Sequence, residues 1–301
     1  MGVRTAEQRR GVGLALAALG AIAFSGKAII VKLAYRHGMD AVTLIMLRML
    51  FALPLFLGMA WWAGRGKPAL TRRDWAGVAG LGFSGYYLSS FLDFAGLAYI
   101  TASLERLILY LNPTLVLLLG WVLYRRRITG WQAAGMAMSY AGALVVFGHE
   151  VTIGQTRAAA WGTLLVFLSA VSYAAYLIAS GEFVKRLGSL RLVGLATSVA
   201  CVLCIVQFLV LRPLGSVQTL APAVIWLSLL NAVVCTALPV LAVMMAIERI
   251  GPAMAAQTGM VGPVSTILMG VVILGEPFTA WTATGTLLVI AGIFVFTRTG
   301  R

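Results

Sequence analysis

The chain has 301 residues, of which 61% are hydrophobic and 11% charged, with a mean hydropathy of +0.96. Soluble domains carry roughly a quarter of charged residues, so this composition excludes one and marks an integral membrane protein. The formal charge of +14 does not point to nucleic acid, because most Lys and Arg sit between long apolar runs, as membrane topology signals do.

A spanning helix needs about 20 predominantly apolar residues, since lipid offers no partners to free backbone groups. Ten segments qualify, at 12–34, 41–62, 75–97, 102–123, 130–147, 158–180, 190–211, 222–245, 252–274 and 279–297. The basic residues ahead of the first resemble a signal-peptide n-region. The segment behind them is long enough to span and is followed by no short-core cleavage site, so it is read as the first membrane helix. The longest connections, Trp62 to Asp74 and Gly148 to Arg157, are too short for an extramembrane domain.

With the amino terminus in the cytoplasm, the cytoplasmic segments hold sixteen Lys and Arg and the opposite side only Arg36, Arg157 and Arg212. This positive-inside bias places both termini in the cytoplasm.

Charges inside the spans are expensive in lipid and should face the bundle interior, an aqueous cavity or the interface. Lys32 and Arg48 lie near helix ends, where a long stem can reach the headgroups. Lys27 lies deeper in the first helix and has three readings: a structural pair with Asp93, a cavity-facing cation that attracts a substrate carboxylate or phosphate, or a desolvated lysine that couples transport to protons. Asp93, Glu105 and Arg106 cluster around the short third connection and read as a charge-paired latch or as an outer gate. With Lys27, Lys32 and Arg48 the six sum to about +2 if all are ionised, which favours anionic or zwitterionic solutes and argues against export of cationic drugs.

Further along, Gly80-Leu81-Gly82-Phe83-Ser84-Gly85 looks like a phosphate-binding loop but lacks the following Lys-Ser/Thr and lies in an apolar span, so helix packing is expected. Pro113 and Pro263 fall midway along the fourth and ninth helices, each freeing a carbonyl one turn back, with Tyr110, Asn112, Gln257 and Thr258 as polar neighbours. Tyr86, Tyr173, Tyr176, Gln207 and Asn231 complete the expected cavity lining, while tryptophans near helix ends read as interface anchors. Cys201, Cys204 and Cys235 lie in apolar runs without partners for a metal site, and read as small apolar side chains. No catalytic constellation, cofactor motif or metal cluster is expected. The expected partners are a small-molecule substrate and the lipid bilayer, with no nucleic acid, and the chain is read as a monomer or a homodimer.

The stretch from Tyr99 to Phe147 is written twice at a constant offset of 150: Pro113/Pro263, Gly120/Gly270, Thr129/Thr279, Trp131/Trp281, Gly135/Gly285 and Gly142/Gly292 all coincide. Two five-helix repeats follow, 1–150 and 151–301. An odd helix number inverts the second against the first, the arrangement of alternating-access transporters.

These residues resemble the drug/metabolite transporter superfamily, specifically its EamA-type branch, over nearly the whole chain. Phe24-Ser25-Gly26 through Lys32-Leu33 is similar to the first-helix signature, with Phe24 in place of Trp. Leu47-Arg48, Ala98 through Pro113, Ile247 to Pro263, Gly275-Glu276-Pro277 and Gly285 through Gly292 match further parts. The first half departs, with Arg125-Arg126-Arg127 at the place of Gly275-Glu276-Pro277. The resemblance implies ten helices as two inverted repeats, a central cavity in the cytoplasmic (inner) membrane, and export of small metabolites, amino acids with aromatic or other neutral side chains foremost. Transport of nucleotide sugars, nucleobases or other anionic metabolites is the alternative, and a membrane scaffold or lipid-handling protein the reading from a different class.

Overall fold

The computed structural model describes residues 2–125, 128–153, 156–217, 220–259 and 261–298, without the side chains of 2–7, 124, 153, 156, 251–253, 256–257 and 296–298. The described residues are helical throughout their spans: α1 Gly2–Tyr35, α2 Ala41–Gly64, α3 Arg72–Gly82, α4 Ser89–Leu97, α5 Ala102–Leu109, α6 Asn112–Tyr124, α7 Gly130–Ile153, α8 Thr156–Leu187, α9 Ser189–Leu211, α10 Pro222–Ala232, α11 Leu238–Thr258, α12 Val261–Met269 and α13 Ala280–Arg298. Short π-helical segments join α3 to α4 (Phe83–Leu88) and α10 to α11 (Val233–Ala237), and a third, Gly270–Leu274, extends α12. The ten expected spans are therefore α1, α2, α3–α4, α5–α6, α7, α8, α9, α10–α11, α12 and α13. The eighth runs on to Thr258 rather than ending at 245, because one proline removes a single backbone donor and need not stop a helix whose other bonds remain. All eight tryptophans are more than half exposed, as belongs to side chains that meet lipid or its interface.

Caps set the helix starts. The Asp40 carboxylate accepts from the Val42 and Thr43 amides at 3.0 and 3.3 Å and from the Thr43 hydroxyl at 2.6 Å. Thr71 and Asp74 form a reciprocal capping box at α3. Partial burial alone would raise the Asp40 carboxyl, but the bonds from Thr43 and from Arg212 outweigh it and hold it below the ordinary carboxylate value.

Two compact units divide the chain, and each draws helices from both sequence halves. One comprises 1–67 and 189–274, the other 68–188 and 275–301. In the first, α1 packs on α11 and α12, and α2 on α9; in the second, α8 packs on α4 and α6, and α7 on α13. Advancing every helix by five spans carries the α1 contacts onto the α8 contacts and returns the other two pairs to themselves.

Individual residues obey the same rule. A Cβ on Gly142 would stand 2.6 Å from the Gly285 carbonyl oxygen, and one on Gly292 2.6 Å from that of Gly135; the offset converts either contact into the other. Such glycines let backbones approach closely where lipid supplies no hydrophobic drive between helices. The inversion is also visible at loop level in the second unit. Glu276, just past the ninth span, bonds to the start of α5, whereas Arg125 closes α6 at the far end of the fourth span, roughly 30 Å away at about 1.5 Å per residue.

The chain passes between the units at 67/68, 188/189 and 274/275. Left-handed glycines stand at or beside each passage: Gly66 (φ 71°), Gly188 (φ 84°) and Gly275 (φ 71°). Arg125, at the place equivalent to Gly275, adopts the same left-handed conformation (φ 51°) and is the one non-glycine to do so among the described residues.

Candidate functional site

The π-helical segments at Phe83–Leu88 and Val233–Ala237 occupy the same place in the two repeats. A π turn shifts the hydrogen-bond ladder by one residue, re-aims the side chains that follow and recurs at functional sites. Each segment is crossed by the first helix of the opposite repeat.

In the second unit that crossing is aromatic and rich in hydroxyls. Tyr86 projects from the π segment, its hydroxyl 3.1 Å from that of Tyr176 on α8, with ring centroids 5.1 Å apart and edge to face. Tyr173 lies one turn earlier, its ring 5.5 Å from Tyr176. Gly85 is required here, since a Cβ would fall 2.3 Å from the Tyr176 ring. The Ser172 hydroxyl donates to the Ser84 carbonyl at 2.8 Å and that of Ser169 to the Ser89 carbonyl at 2.7 Å, supplying donors where the ladder is shifted. The expected lining residues Tyr86, Tyr173 and Tyr176 are thus brought together.

In the first unit the crossing pairs Gly26 of α1 with Cys235; a Cβ on Gly26 would lie 3.1 Å from the sulfur. The offset turns Gly26 and Cys235 into Tyr176 and Gly85, so one crossing puts a tyrosine where the other has a glycine. Lys27 is buried beside it, its ammonium 5.7 Å from the centre of the Phe24 ring. Thr236 donates to the Asn231 carbonyl at 2.9 Å, closing the π turn.

Pro113 and Pro263 behave alike. Each lies in the first turn after a break, that at Tyr110–Leu111 opening α6 and that after Thr258 preceding α12. The carbonyls that the prolines release are not left for a solute, however: Leu109's accepts the Asn112 side-chain amide at 2.8 Å, and Gly259's the Gly262 amide at 2.9 Å. Tyr110 sits at the first break with the Arg106 guanidinium 5.3 Å from its ring centre. Ser25 reaches from α1 to the Gly262 carbonyl at 2.9 Å, fastening the second.

Asp93, Glu105 and Arg106 are all buried in the second unit. Gln207 is half-buried on α9 and Asn231 fully buried on α10, both in the first. Gln257 lies on α11, and its side chain is outside the described residues.

Two carboxylates that sequence reasoning does not anticipate meet the start of α5. Glu276 accepts from the Ala102 amide at 2.7 Å, the Ser103 amide at 3.3 Å and the Ser103 hydroxyl at 2.8 Å. Glu150, at the end of α7, accepts from the Thr101 amide at 3.3 Å and from the Thr101 hydroxyl. A helix start carries unpaired amides and a partial positive charge, and a carboxylate answers both. The available signal was the position of Glu276 between a helix-ending glycine and Pro277, but its partners are more than 170 residues away.

Comparison with known proteins agrees with this architecture. The chain is 29% identical over 267 residues to the uncharacterized transporter YcbK of Bacillus subtilis, an alignment covering 86% of this chain and 84% of that one. It is 21% identical over 282 residues to an uncharacterized transporter of Archaeoglobus fulgidus, covering 94% and 96%. A solved protein crystal structure shares the fold with a TM-score of 0.65 at 19% identity, over 95% of this chain and 97% of that one. The model of the EamA-like transporter family matches twice, over residues 11–148 and 160–298, one match to each copy of the duplicated unit, and the chain belongs to that family.

Proposed function

We propose that this family member is a secondary transporter that exports small metabolites by alternating access, with amino acids bearing aromatic or other neutral side chains as its substrates. The observation that carries the reading is the recurrence of a π-helical crossing at equivalent places in two inverted repeats, since inverted repeats are the architecture of transporters that exchange between inward and outward states. The tyrosine group at 86, 173 and 176 supports an aromatic substrate, because edge-to-face rings accept a further ring readily. Lys27 and Arg48 supply positive potential for a carboxylate. The charge bias of the loops supports a cytoplasmic membrane location with both termini inside, and Asp93, Glu105 and Arg106, all buried, are read as a charge latch or an outer gate.

Reconstituted liposomes loaded with labelled phenylalanine, leucine, uracil or a nucleotide sugar test this directly. Amino-acid efflux above that of protein-free vesicles, reduced several-fold by Tyr176→Ala, is expected. Amino-acid flux equal to that of empty vesicles alongside transport of uracil or the nucleotide sugar would replace the substrate assignment, and no flux of any solute would remove the transporter reading.

A further inference from the structure

Ser228 and Asn231 stand one turn apart on α10, both with 0% exposure. Neither the Ser228 hydroxyl nor either polar atom of the Asn231 carboxamide has a hydrogen-bond partner among the described residues. The Asn231 main-chain carbonyl is satisfied separately by Thr236, so the side chain alone is left over. Burying such groups without partners is costly, and buried polar atoms in folded proteins are nearly always paired.

The other repeat tells whether the fold needs them. At the offset of 150 the equivalent residues are Val78 and Leu81, also on the core side of their helix, with 0% and 4% exposure. The same helix face is therefore built from two apolar side chains in one repeat and two unsatisfied polar ones in the other. Packing does not demand Ser228 and Asn231.

The antiparallel crossing of α1 and α10–α11 fixes what stands opposite. Gly20 faces Pro239 and Ala242, and Gly26 faces Cys235, which places Asn231 across from the turn of α1 that runs from Lys27 to Val31. A carboxamide presents a donor and an acceptor on one carbon, and the serine hydroxyl adds a donor. A ligand that answers all of these beside a cationic turn needs an anionic acceptor and a donor a few bonds apart.

We propose that Ser228 and Asn231 form the subsite that reads the main-chain zwitterion of an α-amino acid: Nδ2 of Asn231 and the Ser228 hydroxyl donate to the carboxylate, and Oδ1 of Asn231 accepts from the ammonium. This rests on the amino-acid reading above and names the residues that distinguish such a substrate from its amine or its N-blocked form.

The test is thermal melting of the purified full chain in lipid nanodiscs with phenylalanine, N-acetylphenylalanine or phenethylamine, for the wild type and for the double variant Ser228→Val with Asn231→Leu. The variant copies the first repeat, so it should fold and melt no lower than the wild type. Phenylalanine should raise the wild-type midpoint, the two blocked analogues should not, and the variant should lose at least tenfold in apparent affinity. A second variant, Asn231→Asp, keeps the shape but replaces the donor with a negative charge, and should weaken phenylalanine binding by tenfold or more.

Unchanged affinity in a folded variant, equal shifts from the blocked analogues, or failure of the double variant to fold would each overturn the assignment while leaving amino-acid transport standing. A wild type that responds to no amino acid, paired with a more stable double variant, would mean a buried water site only. Liposome flux of uracil or nucleotide sugars then decides separately whether the protein transports anything.

Discussion

Replacing Glu276 by alanine removes acceptors from three donors at the start of α5: the Ala102 amide, the Ser103 amide and the Ser103 hydroxyl. A hydrogen bond to a charged group contributes about 1.5–3 kcal/mol, so three would suggest several. Glu276 is only half-buried, however, and water will answer part of what the carboxylate leaves, while the 3.3 Å bond to Ser103 is weak. A net loss of about 2–3 kcal/mol is expected, or roughly 4–12 °C in melting midpoint at about 2–4 °C per kcal/mol for a large domain. Glu276→Gln keeps an acceptor but not the charge that opposes the helix dipole, and should lose about 1 kcal/mol. Melting in mild detergent measures both variants. A double-mutant cycle with Ser103→Ala isolates the contact, with a coupling of about 0.5–1 kcal/mol expected for a directly bonded pair. An alanine variant that melts with the wild type, or a cycle with no coupling, would refute the view that this carboxylate holds the start of α5.

Four further outcomes are expected. Arg125→Gly should stabilise by about 1 kcal/mol, since a left-handed residue with a Cβ is strained by roughly that amount; a lower melting midpoint would show that the arginine side chain matters more than its backbone. Gly142→Leu should abolish the folded state in detergent, because its Cβ would already stand 2.6 Å from the Gly285 carbonyl oxygen, and a monodisperse, well-folded variant would contradict the close α7–α13 contact. Asp40 is held below its ordinary value of 3.8 by its bonds, so its contribution is present above that value and is lost as pH falls through the depressed one. The melting difference between wild type and Asp40→Asn should accordingly be constant near neutral pH and close only below pH 3.8; a difference that already closes near pH 6 would rule out the carboxylate as its source. Single cysteines at Thr129 and Thr279, in a background lacking Cys201, Cys204 and Cys235, should react with an impermeant maleimide from opposite sides of the membrane, and labelling from one side would break the inversion.

The duplication was legible because Pro, Trp and Gly at fixed spacing survive where apolar residues interchange, and Pro113 and Pro263 duly open α6 and α12 at matching breaks. The π-helical segments were not legible. A one-residue ladder shift leaves no periodic trace in so short a segment, and the glycines around Phe83 read equally well as packing. The released carbonyls at Leu109 and Gly259 could be counted from the prolines, but not that Asn112 and Gly262 would take them. Nor could spans alone show that each compact unit mixes the halves, since that depends on which helices meet across the inversion. Depth alone singles out Tyr173 and Tyr176 as a pair; only the crossing of α8 over the π segment adds Tyr86 to them.

The three passages between the units bear on how this gene can vary. Surface loop positions ordinarily accept most amino acids, because little touches them. At Gly66 and Gly275 no atom would meet an added Cβ within 4 Å, yet a positive φ penalises every residue that has one. A saturation-mutagenesis screen should therefore find low tolerance at 66 and 275 despite the open space around them, and at 188 for the same backbone reason, and drift in this lineage should run through the lipid-facing leucines and valines while leaving these turns unchanged.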